Sequence, residues 1–305
     1  MSGLGALFAG DAVLLGVLFA ALAAIAISCS SLALRVGTTG GGAMDALIVV
    51  QLVNVALFVP AAALLHGGDY RLTLTAVGAF GIAGLVGTVL GRAFTYTSIE
   101  RIGASRTEPI KSSQPLHATV VAVLLLGETV NAAHFAGIVL IVLGIGVISW
   151  ESTRRREDGV AGVAPRDLLI PLVGAFFYGI EPIFAKVGFA QGTPVLVGLS
   201  IKTLVAFVAF GAFLRARGLL PSRVRTGNLR WYVAAGVCNS AFLFLYYLGL
   251  EVAPVSIVVP IVTTSPLVVA LLSWAFLSHL ERVTWRLVTA ASIVVAGAVI
   301  ITLYG

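Results

Sequence analysis

Residues 107–126 read TEPIKSSQPLHATVVAVLLL, and residues 258–277 read VVPIVTTSPLVVALLSWAFL. Pro109-Ile110 and Pro115-Leu116 in the first stretch meet Pro260-Ile261 and Pro266-Leu267 in the second at one offset (260 − 109 = 151; 266 − 115 = 151). The chain of 305 residues holds 11 prolines, so two pairs at one spacing are hard to ascribe to chance. Working outward, the same offset relates Val36-Gly37 to Val187-Gly188, Arg35 to Lys186 and Tyr96 to Tyr247. Past Glu128 the match to Glu281 needs two inserted residues (281 − 128 = 153), which fall in a joint; that shift relates Gly144 to Gly297. One unit is present twice in tandem.

Composition decides where the unit lives. The chain is 59% hydrophobic and 10% charged, with a mean hydropathy of +1.06, whereas soluble domains are about a quarter charged. One globule of this length cannot enclose so many apolar side chains, which excludes a soluble enzyme and a nucleic-acid module. Ten apolar segments stand out, at 12–34, 43–65, 74–97, 107–126, 132–150, 168–189, 194–214, 230–250, 253–277 and 284–303. Each approaches the roughly 20 residues a bilayer-spanning helix needs. Open sheet is excluded, because backbone polar groups in hydrocarbon must bond internally. The expectation is an all-α integral membrane protein with ten transmembrane helices. Residues 11–150 form the first five-helix repeat, 151–167 a basic connecting loop, and 168–304 the second repeat. An odd number of helices per unit inverts the second copy, and inverted repeats are the signature of secondary transporters.

Charge gives orientation. Lys plus Arg total 19 against 13 for Asp plus Glu, a formal charge of +6. With ten helices, one face carries Arg35, Arg101, Arg106, Arg154-Arg155-Arg156, Arg166, the 215–230 cluster, Arg282 and Arg286. The positive-inside rule then makes the protein a multi-pass cell-membrane protein with its arginine-rich loops cytoplasmic and both termini outside. These basic residues suit lipid headgroups, so the bilayer is a partner and nucleic acid is not. The first apolar segment has no basic leader and reads as a retained span rather than a cleaved signal. Cys29 and Cys238 lie in apolar segments without metal-ligand spacing, and His66, His117, His134 and His279 are scattered. No zinc-protease, paired-aspartate or phosphate-loop motif occurs, so no catalytic residue, metal or cofactor is expected.

Residues 92–144 read RAFTYTSIERIGASRTEPIKSSQPLHATVVAVLLLGETVNAAHFAGIVLIVLG. This run resembles the EamA-type domain of the drug/metabolite transporter superfamily. A helix ends in an aromatic residue, a helix interrupted by Pro115 follows, then a Leu126-Gly127-Glu128 turn and a glycine-spaced closing helix. The second copy, at 240–297, keeps Pro266 and Glu281 but has Ser278-His279-Leu280 before the glutamate. The resemblance covers nearly the whole chain as two EamA-like repeats. It implies a permease or exporter of small metabolites, by ion exchange or facilitated diffusion, and no enzyme. It also implies cytoplasmic termini, against the arginine distribution. The short multidrug relatives carry a glutamate in the first helix; here Ser28-Cys29-Ser30-Ser31 occupies that region, so that mechanism does not transfer by position.

Charges inside hydrocarbon are costly and face cavities or partners. Glu181 heads the candidates for substrate or ion coupling, on a small and polar face with Gly174, Tyr178, Ala185 and Gly188. Lys202 lies near the middle of the seventh segment, within reach of pairing with Glu181. Such a pair either pins two helices or binds substrate or a proton. Glu108, Lys111, Ser112 and Pro115 share one face of the fourth segment; the second copy has Val259, Val262, Thr263 and Pro266 there. Glu108 and Lys111 serve a site or pair locally at the helix start. Arg92, beside Gly84, Thr88, Gly91 and Thr95, either clamps a carboxylate through its planar fork or snorkels to the interface. Tyr96 and Tyr247 gate or pack. Pro109, Pro115, Pro182, Pro260 and Pro266 are the expected helix breaks. The cavity is expected among segments three, four, six, seven, eight and nine.

Together these features describe a secondary transporter of a small polar metabolite, working by alternating access, with proton or ion coupling as an option. A lipid-modifying membrane enzyme and a non-transporting assembly subunit are the competing readings. A small-molecule solute is the expected partner, and a homodimer is an assembly the sequence allows.

Overall fold

Apolar runs without strand partners close their own backbone hydrogen bonds as helices, and this chain does so almost throughout. The computed structural model describes residues 3–38, 43–102, 107, 110–154, 165–216, 218, 228–276 and 285–304. The helices are α1 (Gly3–Thr38), α2 (Ala43–His66), α3 (Leu74–Ala83), α4 (Gly91–Ile102), α5 (Gln114–Leu126), α6 (Ala132–Arg154), α7 (Leu169–Phe189), α8 (Val195–Ala216), α9 (Leu229–Val252), α10 (Val255–Val262), α11 (Ser265–Phe276) and α12 (Trp285–Tyr304). A π-helical stretch, Gly84–Leu90, joins α3 to α4 without interruption. Among the described residues, six stretches are long and apolar enough to cross a membrane: Asp11–Thr38, Asp45–His66, Leu74–Ile99, Arg166–Phe189, Val195–Ala216 and Leu229–Val252. Gln114–Leu126, Ala132–Val147, Val255–Val269 and Thr289–Tyr304 are shorter apolar helices. The chain is a helical multi-pass membrane protein.

The two copies break their proline-bearing helix in the same way. In the second copy α10 stops at Thr263, whose N–H donates to the Val259 carbonyl (3.0 Å), and Thr264 N–H turns to the Ile261 carbonyl (3.1 Å). The Thr264 hydroxyl donates to that same carbonyl at 2.7 Å. In the first copy Ser113 N–H donates to the Ile110 carbonyl (3.1 Å), and so does the Ser113 hydroxyl (2.7 Å). Ser113 and Thr264 are 151 apart, as are Ile110 and Ile261. Hydroxyls that bond back to a carbonyl compete with the helical ladder, and Pro115 and Pro266 then open α5 and α11, where a missing N–H costs nothing.

Pro182 and Pro260 break nothing: α7 and α10 run through them. A mid-helix proline orphans the carbonyl four residues earlier, and here a side chain from elsewhere takes each one. Gln114 Nε2 donates to the Tyr178 carbonyl at 3.5 Å, the long limit of such a bond. His134 Nε2 lies 3.0 Å from the Ser256 carbonyl. The expected breaks at these two prolines are therefore corrected, while Pro109 lies outside the described residues.

Helices of one copy pack on those of the other. A Cβ on Gly137 of α6 would lie 2.9 Å from the Gly297 carbonyl oxygen of α12, and one on Gly144 would lie 2.9 Å from the Ala290 carbonyl oxygen. Gly137 and Ala290 are related by the shifted offset (290 − 137 = 153), as are Gly144 and Gly297 (297 − 144 = 153). The α6–α12 contact thus maps onto itself when the copies are exchanged, as a two-fold interface does. Small residues at such crossings let backbones touch, the main source of helix affinity in lipid.

A carboxylate from the first copy also closes a helix of the second. Glu128 Oε1 accepts the Val255 N–H (2.7 Å), and Oε2 accepts the Ser256 N–H (3.0 Å) and hydroxyl (2.6 Å). These N–H groups open α10 and have no intrahelical acceptor. Glu128→Ala is expected to cost about 2 kcal/mol, read as a lower midpoint in SDS-induced unfolding; Glu128→Gln, which keeps an acceptor, should cost less.

Candidate functional site

A cavity of about 300 Å³ lies among the helices, and both copies contribute to its wall. Glu181 comes from α7 and Lys202 from α8; Lys202 Nζ donates to Glu181 Oε1 at 2.6 Å. The two residues are 6% and 4% exposed, so this ion pair is buried at the cavity wall. Tyr247 of α9 donates its hydroxyl to the same oxygen at 2.6 Å, and its ring lies under the ammonium, 4.5 Å from Nζ to the centroid. Three helices of the second copy therefore converge on one carboxylate oxygen.

The first copy reaches this cluster because it has glycines there. A Cβ on Gly87 would sit 2.5 Å from Glu181 Cγ, and one on Gly84 would sit 2.5 Å from the Lys202 carbonyl oxygen. Both belong to the π-helical stretch, whose wider winding resets which residues share a face. Arg92 follows on α4 and lines the cavity with Thr88. Among the described residues, its Nη1 is buried without a hydrogen-bond partner.

An amide chain forms another part of the wall. Asn54 Nδ2 donates to Asn239 Oδ1 (3.0 Å) and to Gln51 Oε1 (3.3 Å), and the Ser240 hydroxyl donates to Asn54 Oδ1 (2.7 Å). This chain links α2 of one copy to α9 of the other, with Gln51 and Asn239 at the cavity surface. Beyond the Tyr247 hydroxyl, aromatic rings pack into the hydrophobic core. Phe80 packs against Phe189 (5.3 Å between centroids) and Tyr247 (6.3 Å), and is fully buried.

A model of the EamA-like transporter family matches residues 14–150 and again 166–303. The chain belongs to the EamA-like transporter family. Its two matched units are the tandem copies seen in the offset. A crystal structure described only as that of a protein aligns with a TM-score of 0.75 at 21% identity, covering 94% of this chain and 96% of its own. At that identity the likeness shows the fold alone. No curated protein sequence matches the chain.

Within this EamA-like fold, the residues singled out from sequence are distributed as follows. Glu181, Lys202 and Tyr247 form one bonded cluster, and Arg92 and Lys111 line the same cavity. Glu108 lies outside the described residues; Tyr96 is within α4, and its side chain is likewise not described. Pro115 and Pro266 stand in the first turns of α5 and α11. The cavity wall is wider than expected, since Ile27 of α1 and Gln51 of α2 also reach it. Sequence reasoning passed over Gln51, Asn54, Asn239 and Ser240. A usable signal existed, because polar side chains in the middle of apolar segments carry the same cost argument as charges.

Proposed function

We propose that this EamA-like protein is a secondary transporter that moves a small polar metabolite by alternating access. In this reading it crosses the membrane ten times as two inverted five-helix repeats, with its arginine-rich loops cytoplasmic. The observation that carries the proposal is the polar cavity walled by both copies, with a buried Glu181–Lys202–Tyr247 cluster at its edge. Secondary transporters place substrate and coupling sites between repeats, beside discontinuous helices. The matched breaks at Ser113 and Thr264 supply such helices in each copy. Glu181 is the coupling residue in this reading: its carboxylate can exchange the Lys202 ammonium for a proton when the repeats rearrange. In the same reading the Phe80 layer, packed on Tyr247 and Phe189, serves as a gate.

The test is counterflow. Purified protein in proteoliposomes, preloaded with a mixture of unlabelled metabolites, should take up labelled members of that mixture saturably and faster than empty-loaded vesicles. Flux that never saturates describes a pore, and no flux of any member by folded protein removes the transporter reading.

A further inference from the structure

We propose that the cavity takes an organic anion, a small carboxylate solute with an apolar body, and that Arg92 is the residue that binds its charge. The proposal deepens the transporter reading and rests on it for its physiological meaning, although its test is a binding test. Among the described residues, the cavity wall carries three basic side chains, Arg92, Lys111 and Lys202, and a single carboxylate, Glu181. That carboxylate is committed. Its Oε1 already accepts from both Lys202 and Tyr247, so the α7–α8–α9 cluster balances its own charge. Among the described residues, Arg92 Nη1 is buried with no acceptor.

A guanidinium cannot shed its proton to escape this situation, as a buried lysine can. A buried donor on a permanent cation keeps its desolvation penalty until an acceptor arrives, and a charged acceptor relieves most of it. The guanidinium edge suits two parallel bonds to the oxygens of a carboxylate. The same cavity is lined by the apolar side chains of Phe242, Leu243, Val259 and Val262. Phe242 stacks on Tyr246 at 5.6 Å between centroids with the planes 13° apart. A cationic side chain and an aromatic and aliphatic lining in one cavity select a solute that carries an anionic group and an apolar body. The cavity of about 300 Å³ is at the small end of the range for ligand pockets, which limits the solute to metabolite size.

The experiment is a thermal-stability titration of the full-length protein in nanodiscs of zwitterionic lipid. The probes are acetate, butyrate, benzoate and 3-phenylpropanoate, each beside its neutral amide, with 3-phenylpropylamine as the cation. The expected result is stabilisation by the larger carboxylates, with each amide weaker by about 10- to 100-fold in apparent affinity. Arg92→Gln should lose the acid-over-amide preference while remaining folded, because it removes an unsatisfied donor. Arg92→Lys should keep part of it. An amide that matches its acid, an Arg92→Gln protein that responds like wild type, or no shift with any carboxylate overturns the proposal. A phosphodiester headgroup offers the same anionic chemistry. Stabilisation of unliganded wild type, but not of Arg92→Gln, on moving to anionic-lipid nanodiscs assigns the fork to lipid and also overturns it. Counterflow of neutral or cationic solutes without carboxylate binding leaves transport standing and sinks the anion. Carboxylate binding without counterflow does the reverse.

Discussion

Glu181→Gln is expected to destabilise the protein by about 3–5 kcal/mol, because it leaves the Lys202 ammonium buried without its counter-ion. Lys202 is 4% exposed and its Nζ meets Glu181 Oε1 at 2.6 Å, so solvent reaches little of the ammonium. Lys202→Met should cost a similar amount by stranding the carboxylate, which would keep only the Tyr247 hydroxyl. The double variant Glu181→Gln/Lys202→Met removes both charges, and such replacements are neutral or stabilising by about 1–4 kcal/mol. It should therefore unfold near the wild-type midpoint in SDS titration. Flux separates a pin from a machine. If the pair couples transport, the double variant folds well yet loses pH-gradient-driven uptake in proteoliposomes. Wild-type uptake by that variant would falsify the coupling role and leave the pair as a structural tie between two helices.

The contrast between stability and flux matters because the pair was legible in the sequence while its meaning was not. Two opposite charges deep in apolar segments announce themselves by cost alone. The tandem copies were equally legible, since prolines are few and two pairs shared an offset. Which carbonyl each proline frees follows from counting back four residues, but which side chain satisfies it depends on tertiary neighbours. Gln114 and His134 are far from Pro182 and Pro260 in sequence, so those two prolines read as breaks when they are not. The π-helical stretch at Gly84–Leu90 has no residue signature, and it decides that Gly84 and Gly87 meet Lys202 and Glu181. Phe80 was invisible for a different reason: an apolar ring in an apolar helix carries no sign of packing on Tyr247 in the core instead of facing lipid.

That ring supplies the other large effect. Phe80 is fully buried and rests on two glycines from neighbouring helices, Gly188 of α7 and Gly198 of α8. A Cβ on Gly188 would collide with the ring edge, and one on Gly198 would lie 2.5 Å from Phe80 Cζ. Phe189 and Tyr247 hold the ring from other sides, so it has no free rotamer to retreat into. Gly188→Ala is therefore expected to cost about 1–3 kcal/mol as overpacking. Phe80→Leu, which vacates the ring edge, should recover most of that loss when combined with it, a coupling of about 0.5–3 kcal/mol in the double-mutant cycle. Strictly additive costs would mean that the ring is not wedged between these helices. Phe80→Ala goes further. It is expected to lose about 3–5 kcal/mol through the cavity it leaves, and to remove the ring layer that the transporter reading takes as its gate. In proteoliposomes that variant should pass solute down its gradient without saturation or counterflow. A Phe80→Ala protein that still saturates like wild type would place the gate elsewhere, with Tyr246 and Tyr247, whose rings touch at 5.9 Å, as the remaining barrier beside the Glu181 site.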